Sequence, residues 1–567
     1  MSLPALRGDR LLLAALLAGS AAVRIQQYTA GRSLWSDEAM LALSIALRSP
    51  RELVQPLYYD QVAPVGFLWA ERLAVSVGGV NEFSLRILPL LAGIVLPFFV
   101  WRLGTRLLNR TAALIAVALV GFAPALVFYS NDAKPYGIDA LITVALVRLA
   151  MKLLDRPADR SAFVKLLLAG VVAIWVSVSA VFVLAGVICA LMADAGSEPS
   201  RRWSRSTLVL AWGLAFAGAY FTVYGRGAVS PYMQAFWQGT YLDIHSLDGI
   251  ARSVLLVLRA LVWIFLGESS LLGRFAGSVQ VALFLILALL CPLLIGAVRV
   301  GRSQGLVGLS LLFGPSLAMT ATSLLGAYPL AGRLAVFQVP LWCLLIAYGY
   351  DWIATRTFAS RPQTTAGALA ACVIAAGLPV TGRWTVRQMQ WSNSRELIAL
   401  EQRTNRGREP VYINSRGVPI WALYTTDWAR PDTQRLSAFI RLTEFKGPAF
   451  ENASSRGPIT WNEGAELVVE GPRTELVGLP TGMQLRSWSG FSQNEPDPGW
   501  LDHEVARIRA AARPRIWLCF FNSIDGAHQL LAREVVRQGG RLLHEVEGIN
   551  GWLYQVEFQD PNARTRS

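Results

Sequence analysis

The sequence predicts a polytopic α-helical membrane protein of about eleven crossings that ends in a small C-terminal α/β soluble domain. Three observations carry this reading. The 567 residues are 53% hydrophobic and only 16% charged, with a mean hydropathy of +0.41, more apolar surface than a soluble fold of that length can hide. The apolar residues gather in runs near the ~20 residues that a helix needs to cross hydrocarbon. Beyond Arg383 the runs shrink to strand length while Gly, Pro and charges become frequent.

Runs of spanning length lie at 11–29, 84–104, 111–129, 137–154, 206–224, 277–298, 305–326, 334–350 and 364–381. The longer stretch 163–193 predicts two short helices turned at Ser177-Val178-Ser179. The first run follows Arg7 and Arg10 and contains Gly19-Ser20-Ala21-Ala22, so it reads as a cleaved signal peptide or as a retained helix. The retained helix is favoured because the run leads directly into a motif that needs an anchor. Orientation follows from where Lys and Arg collect in short loops, at 105–110, 152–165, 201–205, 299–302 and 356–361. Keeping all of these on the cytoplasmic side requires that 253–267, flanked by Arg252 and Arg259, lie in the outer interface as an amphipathic or re-entrant helix. The tail then emerges on the outer face, and a bacterial inner membrane is the expected location.

The organisation expected is a transmembrane domain over 1–382, with an outer loop at 30–83, and an extracytoplasmic domain over 383–567. In the latter, 410–414, 466–470, 515–521 and 552–558 read as strands, and 418–425, 502–512 and 527–538 as helices. The net charge of +14 is scattered between apolar runs and forms no basic face with interleaved aromatics, which speaks against nucleic acid. Four of the five cysteines, Cys189, Cys291, Cys343 and Cys372, sit in apolar runs, and the four histidines have no ligand spacing, so neither a disulfide framework nor a structural metal site is expected. Asn452-Ala453-Ser454 is an N-glycosylation sequon.

Three outer loops carry the chemistry. Ser33-Leu34-Trp35-Ser36-Asp37-Glu38-Ala39-Met40 sets two adjacent carboxylates at the membrane edge. They read as helix caps, with Ser36 or Asp37 as N-cap, or as a general base whose basicity is raised beside hydrocarbon. Ser130-Asn131-Asp132-Ala133-Lys134-Pro135-Tyr136 brings both signs of charge to the same edge. The pair either closes a turn or serves a site, and burying it unpaired is costly. Tyr328-Pro329 with Arg333 opens the run to Tyr350, and Arg333 reads as a snorkelling cation or as a phosphate ligand.

In their order and common placement these loops resemble the GT-C superfamily of polyprenyl-phosphate-sugar-dependent glycosyltransferases, in particular the protein O-mannosyltransferase and lipid A aminoarabinose transferase group. The resemblance covers most of 11–381. It includes Leu57-Tyr58-Tyr59-Asp60, Ala63-Pro64-Val65-Gly66, Asn81-Glu82-Phe83-Ser84-Leu85-Arg86 and Pro340. Relatives more often carry Arg where this chain has Lys134, which keeps the charge but not bidentate phosphate contact.

The resemblance implies an inverting transfer of sugar to an acceptor glycan, lipid or protein at the membrane, with Asp37 as general base. Lys134 and Arg333 would stabilise the leaving phosphate, and Glu38 and Asp132 would orient the acceptor or hold a divalent metal if one is used. Tyr136 and Tyr59 would bind substrate, and no cofactor is certain. The tail is expected to shape acceptor choice without doing chemistry. Two other readings remain, a transporter or flippase of a lipid-linked or anionic solute and a sensor anchored by its membrane part.

Overall fold

The computed structural model describes residues 3–195, 199–225, 237–266, 279–330, 332–357, 360–368, 370–371, 374, 392–406, 408–443, 468–469, 474–478, 498–522 and 526–559. The helices run α1 (Leu3–Thr29), α2 (Ser36–Leu47), α3 (Val65–Gly78), α4 (Ile87–Leu107), α5 (Arg110–Phe122), α6 (Pro124–Tyr129), α7 (Tyr136–Asp155), α8 (Arg160–Val176), α9 (Ala180–Ala195) and α10 (Pro199–Ala219), with further helices beyond. Five described helices are long and apolar enough to cross a membrane, Gly8–Thr29, Ser84–Leu107, Ser204–Tyr224, Ile286–Leu312 and Gly332–Thr357, and Arg110–Phe122 and Ala180–Asp194 are shorter apolar helices.

Why the chain bends where it does follows from a few residues. α8 and α9 meet at Ser177–Ser179, as the sequence indicates, because Ser177 Oγ accepts from Ala180 N at 3.2 Å and so caps α9. The helix Val279–Leu312 breaks at Gly305, whose φ of 62° suits glycine. A Cβ on Gly301 would lie 2.9 Å from Leu309 Cδ1, so the chain doubles back there, and the runs 277–298 and 305–326 are two arms of one hairpin. Close approach elsewhere depends on Gly93 of α4, where a Cβ would fall 2.4 Å from Ser130 Cβ. α1 packs on α4 and α5, and its buried Arg24 donates to Gly121 O at 2.7 Å. The first run is therefore a built part of the bundle.

Three of the basic loops meet at one end of the bundle. Asn109 Nδ2 donates to Asp351 Oδ2 at 2.6 Å, and Gln304 Nε2 to Leu107 O at 2.9 Å, tying those loops together. The helix Leu247–Leu266, which contains most of the segment expected at the interface, is amphipathic and packs at the polar-loop end on α6 and on the 3-10 turn Gly332–Gln338. The run 364–381 lies largely outside the described residues, as do the sequon at Asn452 and the tail's first residues from Arg383.

The tail holds a six-stranded sheet ordered β2-β3-β1-β4-β6-β5, comprising β1 (Val411–Ile413), β2 (Val468–Val469), β3 (Glu475–Val477), β4 (Arg515–Phe521), β5 (Gly540–Glu547) and β6 (Gly551–Phe558). β1 runs parallel to β3 and β4, while β4, β6 and β5 pair antiparallel. β3 and β5 escape the sequence reading, β3 by its length and β5 because its exposed edge is polar. One face of the sheet packs on the helix Ala527–Arg537 through Leu531 and Val535. The other face shares a single core with the outer loop: Leu34, Leu41, Ile45, Phe67 and Tyr59 lie in one cluster with Leu397, Val418, Trp421 and Trp517. Such burial is worth about 1.5–3 kcal/mol per large side chain, so loop and tail hold one another in place.

Candidate active site

Asp37 lies one residue inside α2, at the seam where outer loop, bundle and tail meet. The N-cap of α2 is Trp35, not the Ser36 or Asp37 that the sequence suggests. Glu38 Oε2 reaches back to accept from Trp35 N at 3.3 Å, and Ser36 Oγ is drawn away to donate to Arg416 O. Asp37 is left to face two cations. Lys134 Nζ is 3.2 Å from Oδ1 and Arg333 Nη1 is 3.0 Å from Oδ2, and both cationic side chains are over nine-tenths buried. Arg333 also stacks 5.1 Å from the Trp237 ring centre. The structure thus unites Asp37, Lys134 and Arg333 from three distant loops.

The protonation of Asp37 departs from expectation. Burial pushes its carboxyl up, but the charges of Lys134 and Arg333 and hydrogen bonds from Lys134 and Gln61 outweigh it and hold it below the usual carboxylate range. A carboxylate beside hydrocarbon is more basic only while unpaired, and this one is paired. Burial in turn lowers the Lys134 ammonium, with Asp37 opposing.

Glu38 is fully buried and both its oxygens are engaged. Arg86 donates to it through Nε at 2.8 Å and Nη2 at 2.6 Å, and Ala133 N at 2.8 Å. Burial raises its carboxyl, yet Arg86 and Arg32 overcome this and hold it low. Its geometry is that of a brace between the Asp37 loop and the Asp132–Lys134 loop. Asp132 accepts from Trp35 Nε1 at 3.1 Å and sits 3.6 Å from Arg32, while its Oδ2 has no hydrogen-bond partner among the described residues. Burial first, then the charge of Glu38, pushes its carboxyl up to about 8.

A group raised from the usual value near ~4 holds a proton in the folded state that the unfolded chain releases, so its contribution to stability is full below pH ~4 and is lost as pH rises toward 8. Asp132→Asn, which mimics the protonated form, is expected to flatten the decline in melting temperature between pH 5 and 8. An unchanged pH profile would mean that Asp132 is ionised throughout.

Tyr136 opens α7 with its ring 5.0 Å from Tyr129, within electrostatic reach of Arg333, Asp37 and Asp132. Tyr59 is buried in the outer-loop core. Tyr59 and Asp60 both adopt left-handed conformations, φ 57° and 50°, costly for residues other than glycine. This turn delivers Gln61, whose Oε1 accepts from Lys134 Nζ at 2.6 Å.

The tail grips the same loop. Tyr424 OH accepts from Leu34 N at 2.7 Å and donates to Glu82 at 2.8 Å, Ser33 Oγ donates to Glu396 at 2.9 Å, and Arg395 pairs with Glu82 at 2.7 Å. The residues absent from the sequence reading are thus Arg32, Gln61, Arg395, Glu396 and Tyr424, together with the roles of Glu82 and Arg86. Their partners lie tens to hundreds of positions away, which no local pattern announces.

A divalent metal does not fit this donor set. Glu38 is committed to Arg86, both oxygens of Asp37 face cations, and among the described residues no three His, Cys, Asp or Glu side chains converge. Two buried cations beside one carboxylate suit an anionic ligand instead.

Residues 62–224, which include the Asp132–Tyr136 loop, match the family model for dolichyl-phosphate-mannose-protein mannosyltransferase. No curated protein matches the chain. Among solved structures, ArnT from Cupriavidus metallidurans in the apo state is similar over 97% of this chain and 98% of its own, at 11% identity and a TM-score of 0.50. The Archaeoglobus fulgidus oligosaccharyltransferase with zinc and sulfate is similar at 12% identity and a TM-score of 0.44, with 72% of this chain covering 61% of that protein. This chain therefore spans about three fifths of the archaeal enzyme's length. The family model bears out the resemblance over 62–224, and the ArnT likeness bears out the mostly helical fold with a small C-terminal sheet.

Proposed function

We propose that the chain is a glycosyltransferase that moves a sugar from a polyprenyl-phosphate carrier to an acceptor on the outer face of the membrane. The observation that carries this reading is the carboxylate held between two buried cations at one end of a membrane bundle. In the resting site Asp37 is the counter-ion of Lys134 and Arg333. A donor phosphate entering there competes for both cations. As they turn to the phosphate, Asp37 loses the charges that depress its basicity and becomes a better base when the donor is in place.

The acceptor oxygen then attacks C1 of the sugar from the face opposite the phosphate, and Asp37 takes the acceptor's proton. The C1–O bond breaks with its electron pair going to the phosphate, which leaves as polyprenyl phosphate against Lys134 and Arg333. One displacement inverts the anomeric carbon. Glu38 and Arg86 brace the loops, so they position the reacting groups. The polar groups collect at one end of the bundle, which supports transfer over alternating access, where a site near the midplane is needed. The matched mannosyltransferase model supports a lipid-linked sugar donor.

The test is release of polyprenyl phosphate from polyprenyl-phosphate-mannose or polyprenyl-phosphate-arabinose by purified protein in lipid nanodiscs. Arg333→Ala is expected to raise the donor KM about tenfold or more, the worth of one hydrogen bond to a charged group, with a smaller effect on the acceptor KM. Donor kinetics unchanged by this substitution would return Arg333 to a headgroup contact, and no release by the native protein would end the proposal.

A further inference from the structure

We infer that Asp139, Tyr136, Tyr328 and the Ser177–Ser179 turn form a second polar subsite, deeper in the bundle than Asp37, that binds the hydroxyl groups of the donor's sugar ring. The inference rests on the proposed use of Lys134 and Arg333 for the donor phosphate, and it names what holds the other half of that donor.

Asp139 follows Tyr136 by three residues on α7, so the two share a helix face about 4.5 Å apart along the axis. Tyr136 borders the Asp37 centre, and Asp139 continues from it toward the interior. The Asp139 side chain is buried, and its Oδ1 has no hydrogen-bond partner among the described residues. Ser177 and Ser179, whose hydroxyls are 3.1 Å apart, hydrogen-bond the Asp139 carboxyl, and the phenols of Tyr136, Tyr224 and Tyr328 lie around it. Tyr224 OH is committed to Ile174 O at 2.7 Å.

Capacity is left over at Asp139 Oδ1. A buried acceptor without a partner is destabilising, a cost that a fold with no use for it would shed by holding an apolar residue there. Tyr328 adds an aromatic wall, with Phe182 4.9 Å from its ring and Phe337 stacked 5.8 Å beyond Phe182.

A carboxylate, two serine hydroxyls and phenols beside an aromatic surface match a polyhydroxylated ring. The carboxylate accepts from paired hydroxyls, the phenols donate or accept, and the apolar face of the ring lies on the aromatic wall. The lipid phosphate is the wrong ligand for this place, because it would meet a carboxyl group with no Lys or Arg beside it among the described residues. With phosphate at Lys134 and Arg333, C1 sits at Asp37 and the ring extends toward Tyr136 and Asp139.

The experiment compares two ligands on the full-length protein in nanodiscs: polyprenyl phosphate without sugar, and its mannosyl and arabinosyl esters. Asp139→Ala and Tyr328→Phe are expected to weaken binding of at least one glycosylated ester about tenfold, while binding of the sugar-free phosphate stays within twofold. Ser179→Ala serves as a third variant should Asp139→Ala fail to fold. Equal losses for both ligands would make the cluster merely structural, and no loss for either ester would also overturn the inference. Failure of the native protein to bind sugar-free polyprenyl phosphate would instead remove the proposed donor site on which it rests.

Discussion

Replacing Asp37 by Asn is expected to slow sugar transfer by about 10²- to 10⁴-fold, the range for loss of a positioned general base, while the protein still inserts and binds donor. Asparagine keeps the size of the side chain but sets an NH2 donor against one of the two cations, so one of those contacts is lost while helix α2 and its bracing by Glu38 are undisturbed. It removes the counter-ion of Lys134 and Arg333. Two buried cations then face an empty place for an anion, so sugar-free polyprenyl phosphate should bind the variant at least as tightly as the native protein. Slower chemistry with undiminished donor binding is the signature of a base, whereas a structural residue would lose both together.

The pH dependence carries a second sign. Asp37 is held below the usual carboxylate range in the free protein, so kcat/KM should stay level down to about pH 4. If donor draws the cations away, the acid limb of kcat lies at higher pH than that of kcat/KM. An Asn variant within threefold of native turnover would exclude Asp37 as the base.

Much of this site was legible because its chemistry is local in sequence. The adjacent carboxylates of Asp37 and Glu38, the charges flanking Ala133 and the lone Arg333 each stand out against apolar surroundings where a charge needs a reason. The Ser177–Ser179 turn was legible too, since serines interrupt an apolar stretch too long for one helix. What was not legible depends on pairing across the fold. Arg86 lies in a quoted motif, but nothing near it says that its partner is Glu38. Glu82 likewise gives no sign of Tyr424, 342 positions on. The basicity of Asp37 was misjudged for the same reason, because its sign is set by cations from two other loops. The tail was expected to shape acceptor choice without doing chemistry. Its contacts with Ser33, Leu34 and Ser36 hold the backbone on which Asp37 is mounted, so any influence on acceptor choice is joined to a positioning role.

Breaking the Arg86–Glu38 pair should have the largest effect on stability. Arg86→Met is expected to destabilise the protein by about 3–5 kcal/mol, because removing one partner leaves a buried charge uncompensated. The charge left behind belongs to Glu38, which is fully buried and linked to Trp35 N and Ala133 N. Arg86 also donates to Arg32 O at 2.7 Å, so its loss frees the segment leading into Asp37. Neutralising the orphan should repair part of this. In Arg86→Met with Glu38→Gln, the amide oxygen can still accept from Ala133 N and the orphaned Glu38 charge is gone, so the melting temperature should recover a large share of the loss. Transfer should recover less, since the guanidinium no longer spaces the loops that carry Asp37 and Lys134. A double variant no more stable than Arg86→Met would show that the pair is not coupled, and a double variant with native turnover would show that bracing these loops does not set the rate.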